Sequence, residues 1–243
     1  IVGDNDSDMK IAVMADVGRT DFRRDIIDKS DSVIDLIRIA TYINTIPAAI
    51  EMIEYCHAKG YETTINIMAI SNDNDADIDE ALELFSQSPV DGIYIVDSYG
   101  AIYPEQMRKL ADKYLAFGEK YNKFIGIHAH NNQQLAFANT IEALTRGVSY
   151  LDVTVSGMGR GAGNCASEIL LGFLKNPKYN ILPILDILEN EIEPLKEQGV
   201  VWGYNIPYLL TGQLNQHPRT AIAATKEKRT DYRNFYVELV DYK

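Results

Sequence analysis

His128-Ala129-His130, followed by Asn131, joins two of the four histidines of this chain. The pair closes a short apolar run, Phe124-Ile125-Gly126-Ile127. In a β-strand, side chains two residues apart point to the same face. Two imidazoles on one face converge on a point, which is how a protein holds a divalent metal. The competing reading is a pair of hydrogen-bonded interior histidines with a packing role. An isolated HxH does not choose between the two, so its surroundings must.

A second segment, Gly157-Met158-Gly159-Arg160-Gly161-Ala162-Gly163-Asn164, follows an apolar run and precedes a helix predicted over 166–174. Glycines let backbone approach a ligand closely, and exposed N–H groups beside a helix start bind anions. Barrel enzymes commonly keep a phosphate in such a loop. The loop therefore either binds an anion or delivers Asn164 to a metal. Arg160 either contacts an anionic substrate or is solvated. A third segment, Asp97-Ser98-Tyr99-Gly100, closes another apolar run. The Ser98 hydroxyl can bind a substrate carboxylate, although residue type alone reads this segment as a turn. Asp35, Arg38, Asn66 and Asp152 also fall on predicted strands, and Arg38 is expected to form a structural ion pair. His57, on a helix, and His217, before Pro218, are given no role.

The elements that must position these groups repeat along the chain. Apolar, β-branched runs occur at 10–15, 33–40, 63–69, 92–96, 124–129 and 151–155, about 23 to 32 residues apart. Helical stretches lie between them at 46–59, 78–85, 104–117 and 133–145. Pro47 and Pro104 suit first helical turns, and Gly60, Gly118 and Gly147 suit helix ends. A repeated strand–helix unit of about 30 residues implies parallel strands with crossover helices. No glycine-rich phosphate loop follows the first run, which argues against a doubly wound sheet. The fold class is α/β, a (β/α)8 TIM barrel of which about six β/α units are visible, followed by C-terminal helices at 184–198 and 207–216. Residues 1–175 are read as the barrel domain, carrying strands three to eight, and 176–243 as a helical extension.

Composition narrows the function classes. The 243 residues have a net charge of -12, which argues against nucleic acid and anionic membrane surfaces as partners. Two cysteines, Cys56 and Cys165, sit in no metal-binding pattern and suit a reducing compartment. No apolar run reaches transmembrane length, so a cytoplasmic protein is expected. The opening at Ile1, with the polar run Gly3-Asp4-Asn5-Asp6-Ser7-Asp8, reads as a fragment boundary or a flexible lead-in.

Together, DSYG, HAHN and GMGRGAGN, in this order at strand ends, resemble the aldolase and acyl-CoA-condensing metal-dependent TIM-barrel family. These are the HMG-CoA lyase-like proteins, and the nearest branch is the 4-hydroxy-2-oxovalerate aldolases. The resemblance spans about residues 10–174 and extends weakly to Gly203-Tyr204-Asn205-Ile206-Pro207-Tyr208. HxHN paired with GxGxxAGN is specific, whereas either motif alone is not. The resemblance implies a divalent-metal-dependent aldolase or lyase that makes or breaks a carbon–carbon bond through a pyruvate-type enolate. It implies His128 and His130 as metal ligands, with Asn164 a ligand or neighbour of the metal. Ser98 would contact the carboxylate of a 2-keto acid, and Tyr204 or Tyr208 would be the active-site tyrosine. Mn2+ or Mg2+ is the implied metal, with Zn2+ an alternative.

The family's first strand carries a DxTLRDG motif that supplies a third ligand and an arginine. Val17-Gly18-Arg19-Thr20-Asp21 has those letters in another order, so strands one and two are expected upstream of Ile1. Two alternatives stay open: a Claisen-type acyl-CoA synthase or lyase, and a non-catalytic barrel relative. A homodimer is implied. The short C-terminal region, with its charged, tyrosine-rich tail at 230–243, argues against a docked aldehyde dehydrogenase.

Overall fold

Six of the β-branched runs form six strands: β1 (Ala12–Asp16), β2 (Leu36–Thr41), β3 (Glu62–Ile67), β4 (Gly92–Asp97), β5 (Phe124–Ala129) and β6 (Tyr150–Leu151). The computed structural model describes Asn5 and residues 7–241. Ile1, Val2, Gly3, Asp4 and Asp6 at the start, and Tyr242 and Lys243 of the tail, lie outside the described residues. The strands form one sheet in chain order, β1 to β6. The first pairings are parallel and in step, with Arg38 opposite Thr64 and Asn66 opposite Tyr94. A sheet that adds parallel strands in chain order, each after a helix, is the wall of a TIM barrel, and this is the fold class of the chain.

Helices fill the connections: α1 (Phe22–Asp25), α2 (Ile46–Ala58), α3 (Asp75–Leu84), α4 (Pro104–Tyr121), α5 (Ala136–Arg146) and α6 (Ser167–Leu174). Beyond them come α7 (Leu182–Ile187), α8 (Glu193–Glu197), α9 (Ile206–Gln213), α10 (Arg219–Lys226) and α11 (Tyr232–Asp241). Two compact units divide the chain. Ile1–Val96, Leu110–Gly126 and Val148–Tyr150 make the first; Asp97–Lys109, Ile127–Gly147 and Leu151–Lys243 make the second.

In the first unit, α2 buries Ile46, Ala49, Met52, Ile53 and Cys56, a stripe at helical spacing. Burying Ile46, Met52 and Ile53 stabilises by roughly 1.5–3 kcal/mol each relative to exposure. β3 and β4 are buried on both faces, as parallel strands under helices must be. The polar strand residue Arg38 lies with its guanidinium 4.3 Å from the centre of the Tyr94 ring. Asp35 sits just before β2, where its carboxylate accepts from the Ile11 N–H at 2.8 Å and meets Lys29 at 3.0 Å. In the second unit, α5 buries Ala136, Asn139, Thr140 and Ala143 and ends at Gly147 with φ of 118°. The Asn139 amide donates to the Ile102 carbonyl at 2.7 Å. Among the described residues no helix is long and apolar enough to cross a membrane.

Two sequence expectations are corrected. The strand predicted at 151–155 stops at Leu151. Beyond it, the Thr154 N–H donates to Cys165 O and Ser167 N–H donates to Thr154 O, so that backbone pairs with the segment before α6. The helix predicted at 184–198 is two short helices joined by a π-turn over Leu188–Ile192. Pro194, which lacks an N–H, follows directly. The charged, tyrosine-rich tail contains α11, which buries Phe235 and Leu239 against Ala224. Arg229 pairs there with Asp231 at 2.7 Å and Glu238 at 2.6 Å.

Candidate active site and metal-binding pair

Every residue predicted for the site falls in the second unit. β5 ends at Ala129, so His128 and His130 project from its last turn of pleat. Their rings meet edge to face, with centroids 5.1 Å apart. Nδ1 of half-buried His128 lies 3.0 Å from Oδ2 of Asp152. A carboxylate only accepts, so Nδ1 is the donor of this bond and Nε2 lies on the far side of the ring. This is the arrangement by which a carboxylate orients a metal-binding imidazole.

His130 is set differently. Its Nδ1 is buried and has no hydrogen-bond partner. Burial, followed by the neighbouring His128 and Arg160 side chains, pushes its pKa down to about 3. It is therefore a neutral imidazole across the physiological range, the form that ligates metals.

The glycine loop is bound to this strand end by backbone. His130 and Asn164 form an antiparallel bridge, and the Asn131 N–H donates to Gly163 O at 2.8 Å. The Asn164 Nδ2 donates to Met158 O at 3.1 Å, which fixes the amide's orientation. Its Oδ1 is left buried without a hydrogen-bond partner. An unsatisfied buried acceptor costs about 1–3 kcal/mol. Two imidazoles and an amide oxygen, with His130 Nδ1 and Asn164 Oδ1 orphaned, fit a divalent cation as donors. Among the described residues no group of three His, Cys, Asp or Glu side chains gathers into a metal cluster.

The DSYG segment packs against the same strand end. Asp97 is fully buried; its Oδ1 accepts from the Ala101 N–H at 2.9 Å and its Oδ2 from the Ile102 N–H at 3.3 Å. Burial raises its pKa to about 7, and those backbone donors oppose the rise. The turn reading of this segment therefore describes its backbone, with Ser98 half-buried on it. Gly100 has φ of +56°, and a Cβ there would stand 2.6 Å from the Asn132 nitrogen and 2.9 Å from His130 O. Only glycine lets the two segments approach this closely.

Of the two tyrosines, Tyr208 is 4% exposed and clusters with Ala162 and Ala221, whereas Tyr204 is 64% exposed. A Cβ on Gly161 would fall 2.2 Å from the Tyr208 ring, so the glycine loop is shaped around that side chain. Burial raises the Tyr208 pKa, with Arg160 acting against it.

Sequence reasoning missed several contacts. Asp152 stood out as a polar strand residue, yet its partner His128 lies 24 residues away in the chain, and no local signal marks the pair. Ser156, held at φ of +58°, has its N–H on Glu168 and its carbonyl on the Trp202 indole N–H at 2.9 Å. Those residues, with Lys196 and Asn164, line a cavity of about 300 Å³. His217 meets the Tyr99 ring edge to face at 5.7 Å, and its Nδ1 accepts from the Arg219 N–H at 3.1 Å. His57 is exposed on α2.

Comparison with known proteins follows the same lines. The HMGL-like family profile matches residues 4–187. A 4-hydroxy-2-oxovalerate aldolase from Bacillus thuringiensis is 27% identical over 215 residues, covering 84% of this chain and 60% of that protein. An oxaloacetate decarboxylase from Mycobacterium tuberculosis is 30% identical over 153 residues, covering 63% of this chain and 45% of that protein. The chain thus spans about 60% or less of the length of these curated relatives. Among solved structures, the N-terminal domain of a proposed aldolase from Bacteroides vulgatus superposes with a TM-score of 0.73 at 29% identity, over 90% of this chain and 73% of that one. With the profile matching most of its length and the HxHN and glycine-loop motifs brought together in space, the chain belongs to the HMGL-like family.

Proposed function

We propose that the protein is a divalent-metal-dependent aldolase or lyase that makes or breaks a carbon–carbon bond next to a 2-keto acid, by way of a pyruvate-type enolate. The observation that carries this reading is the juxtaposition of carboxylate-oriented His128, neutral His130 and the orphaned Asn164 Oδ1. These three residues would hold the cation, Mn2+ or Mg2+ by the oxygen-rich character of the substrate, with Zn2+ the alternative. When bound, the cation would supply Lewis-acid stabilisation of negative charge on the keto acid's oxygens.

The protein's own groups do the rest. Asp152 fixes the His128 tautomer. The Ser98 hydroxyl, on the turn that follows β4, binds the keto acid's carboxylate. Tyr208 keeps its proton on Oη at neutral pH, because burial raises its pKa, and in this reading it donates that proton. Relatives named for cleavage of a hydroxy-keto acid and for decarboxylation of oxaloacetate support a shared pyruvate enolate. Both cysteines are free and buried, which supports a reducing, cytoplasmic setting.

The test is exchange of pyruvate methyl protons with solvent deuterium, followed by NMR with Mn2+ present. Exchange supports the enolate. No exchange, together with condensation of an acyl-CoA, transfers the protein to the Claisen branch of the family.

A further inference from the structure

Arg160 is the one side chain of the glycine loop that carries a charge. It lies in a chain with 35 acidic and 23 basic residues apart from histidine, where a carboxylate partner is easily found. Several of the arginines take one: Arg19 with Asp16, Arg23 with Glu51, Arg24 with Asp25, Arg108 with Glu142 and Arg229 with Asp231 and Glu238. Among the described residues Arg160 forms no ion pair. Its Nη2 instead donates to the backbone carbonyl of Ser98 at 3.2 Å. That single bond uses one of five N–H donors and ties the guanidinium to the turn after β4.

Its neighbours hold it there. Gly161, at φ of +59°, packs directly on the Tyr208 ring, so the backbone beside Arg160 has little room to move. Arg160 is also close enough to act electrostatically on Tyr208 and on His217, and His217 in turn contacts Tyr99, next to Ser98. The guanidinium is thus tied to the serine turn, within electrostatic reach of the tyrosine, with four N–H donors uncommitted to a protein carboxylate.

We propose that Arg160 is a specificity-determining residue that binds the free carboxylate of the 2-keto acid beside Ser98, so that the site takes 2-keto acids and discriminates against their neutral amides and esters. This rests on the enolate-forming reading of the site and names the group that recognises its substrate. A guanidinium offers a planar fork that matches a carboxylate with two parallel N–H···O bonds, which an ammonium does not.

The test compares the wild-type chain with Arg160→Gln and Arg160→Lys. Dissociation constants for pyruvate and for pyruvamide are read by ligand-observed NMR, with and without Mn2+. Because Arg160 is exposed, both variants should keep the wild-type melting temperature. Loss of a charge-assisted pair should weaken pyruvate by about 10- to 100-fold in Arg160→Gln. Arg160→Lys should recover part of that loss, and pyruvamide should change less than about 2-fold in either. Equal weakening of both ligands, or no weakening of pyruvate, overturns the role of Arg160 while leaving the enolate reading intact. A wild-type protein that binds neither ligand overturns the enolate reading itself, and the arginine's role falls with it.

Discussion

His128 Nδ1 and Asp152 Oδ2 are 3.0 Å apart, which ties one side of the imidazole to a carboxylate. The carboxylate fixes the ring's orientation. Asp152→Ala should therefore lower Mn2+ affinity by about 10- to 100-fold, the usual effect of losing such a partner. Asp152→Asn should fall between the two, because an amide can accept the same hydrogen bond without the charge. Manganese titration followed by electron paramagnetic resonance measures both; wild-type affinity in Asp152→Ala would show that the pair is structural.

Gly100 sets how closely the serine turn approaches the histidine segment. Gly100→Ala would place its Cβ 2.6 Å from the backbone nitrogen of Asn132. Backbone cannot swing aside as a side-chain tip can, and φ of +56° is itself unfavourable for alanine. Overpacking typically costs about 1–3 kcal/mol. A melting temperature lowered by several degrees, with weaker pyruvate binding, is expected by calorimetry and NMR. An unchanged melting temperature would mean that the turn relaxes freely.

Two buried titrations oppose each other. The Asp97 pKa rises from 3.8 to about 7 on folding, so across that window the folded chain holds a proton that the unfolded chain has released. Stability from this group is full below about pH 4 and is lost as pH rises towards 7. The His130 pKa falls from 6.5 to about 3, so the unfolded chain takes the extra proton there. Stability from this group is full above about pH 6.5 and is lost as pH falls towards 3. Urea midpoints between pH 4 and 7 should therefore rise more steeply with pH in Asp97→Asn than in wild type. In His130→Ala they should fall with pH. Parallel profiles in all three proteins would remove both shifts.

The proposed function assigns the proton donor to buried Tyr208 rather than to exposed Tyr204. Tyr208→Phe keeps the ring packed on Gly161 and removes only the proton donor. Cleavage of a 4-hydroxy-2-keto acid should slow by about 10²- to 10⁴-fold with little change in melting temperature. Tyr204→Phe, at a largely exposed position, should match wild type. The reverse ranking would move the role to Tyr204.

Much of this arrangement was legible in the sequence, and the exceptions have physical causes. The run ending in His128 was read over 124–129, and β5 occupies the same residues, because β-branched and apolar side chains report a buried strand locally. α3 begins at Asp75, three residues before the predicted start, since Asn74 accepts from the Ala76 and Asp77 N–H groups in an acidic stretch with no apolar period. β6 was overextended because alternation at 152–155 mimics a strand, while the backbone there pairs with residues 165 and 167. The motif histidines and Asn164 were legible because glycine and HxH patterns are local. Asp152 as the partner of His128, and Trp202 and Glu168 on Ser156, depend on contacts 12 to 46 residues apart in sequence, which no local pattern encodes.

The central claim is that His128, His130 and Asn164 are cation ligands. Mn2+ binding to the whole chain, measured by titration in wild type and His130→Ala, tests it most directly. About one Mn2+ per chain in wild type, with affinity reduced at least about 100-fold in His130→Ala, is the predicted result. Equal Mn2+ affinity in the two proteins would contradict it.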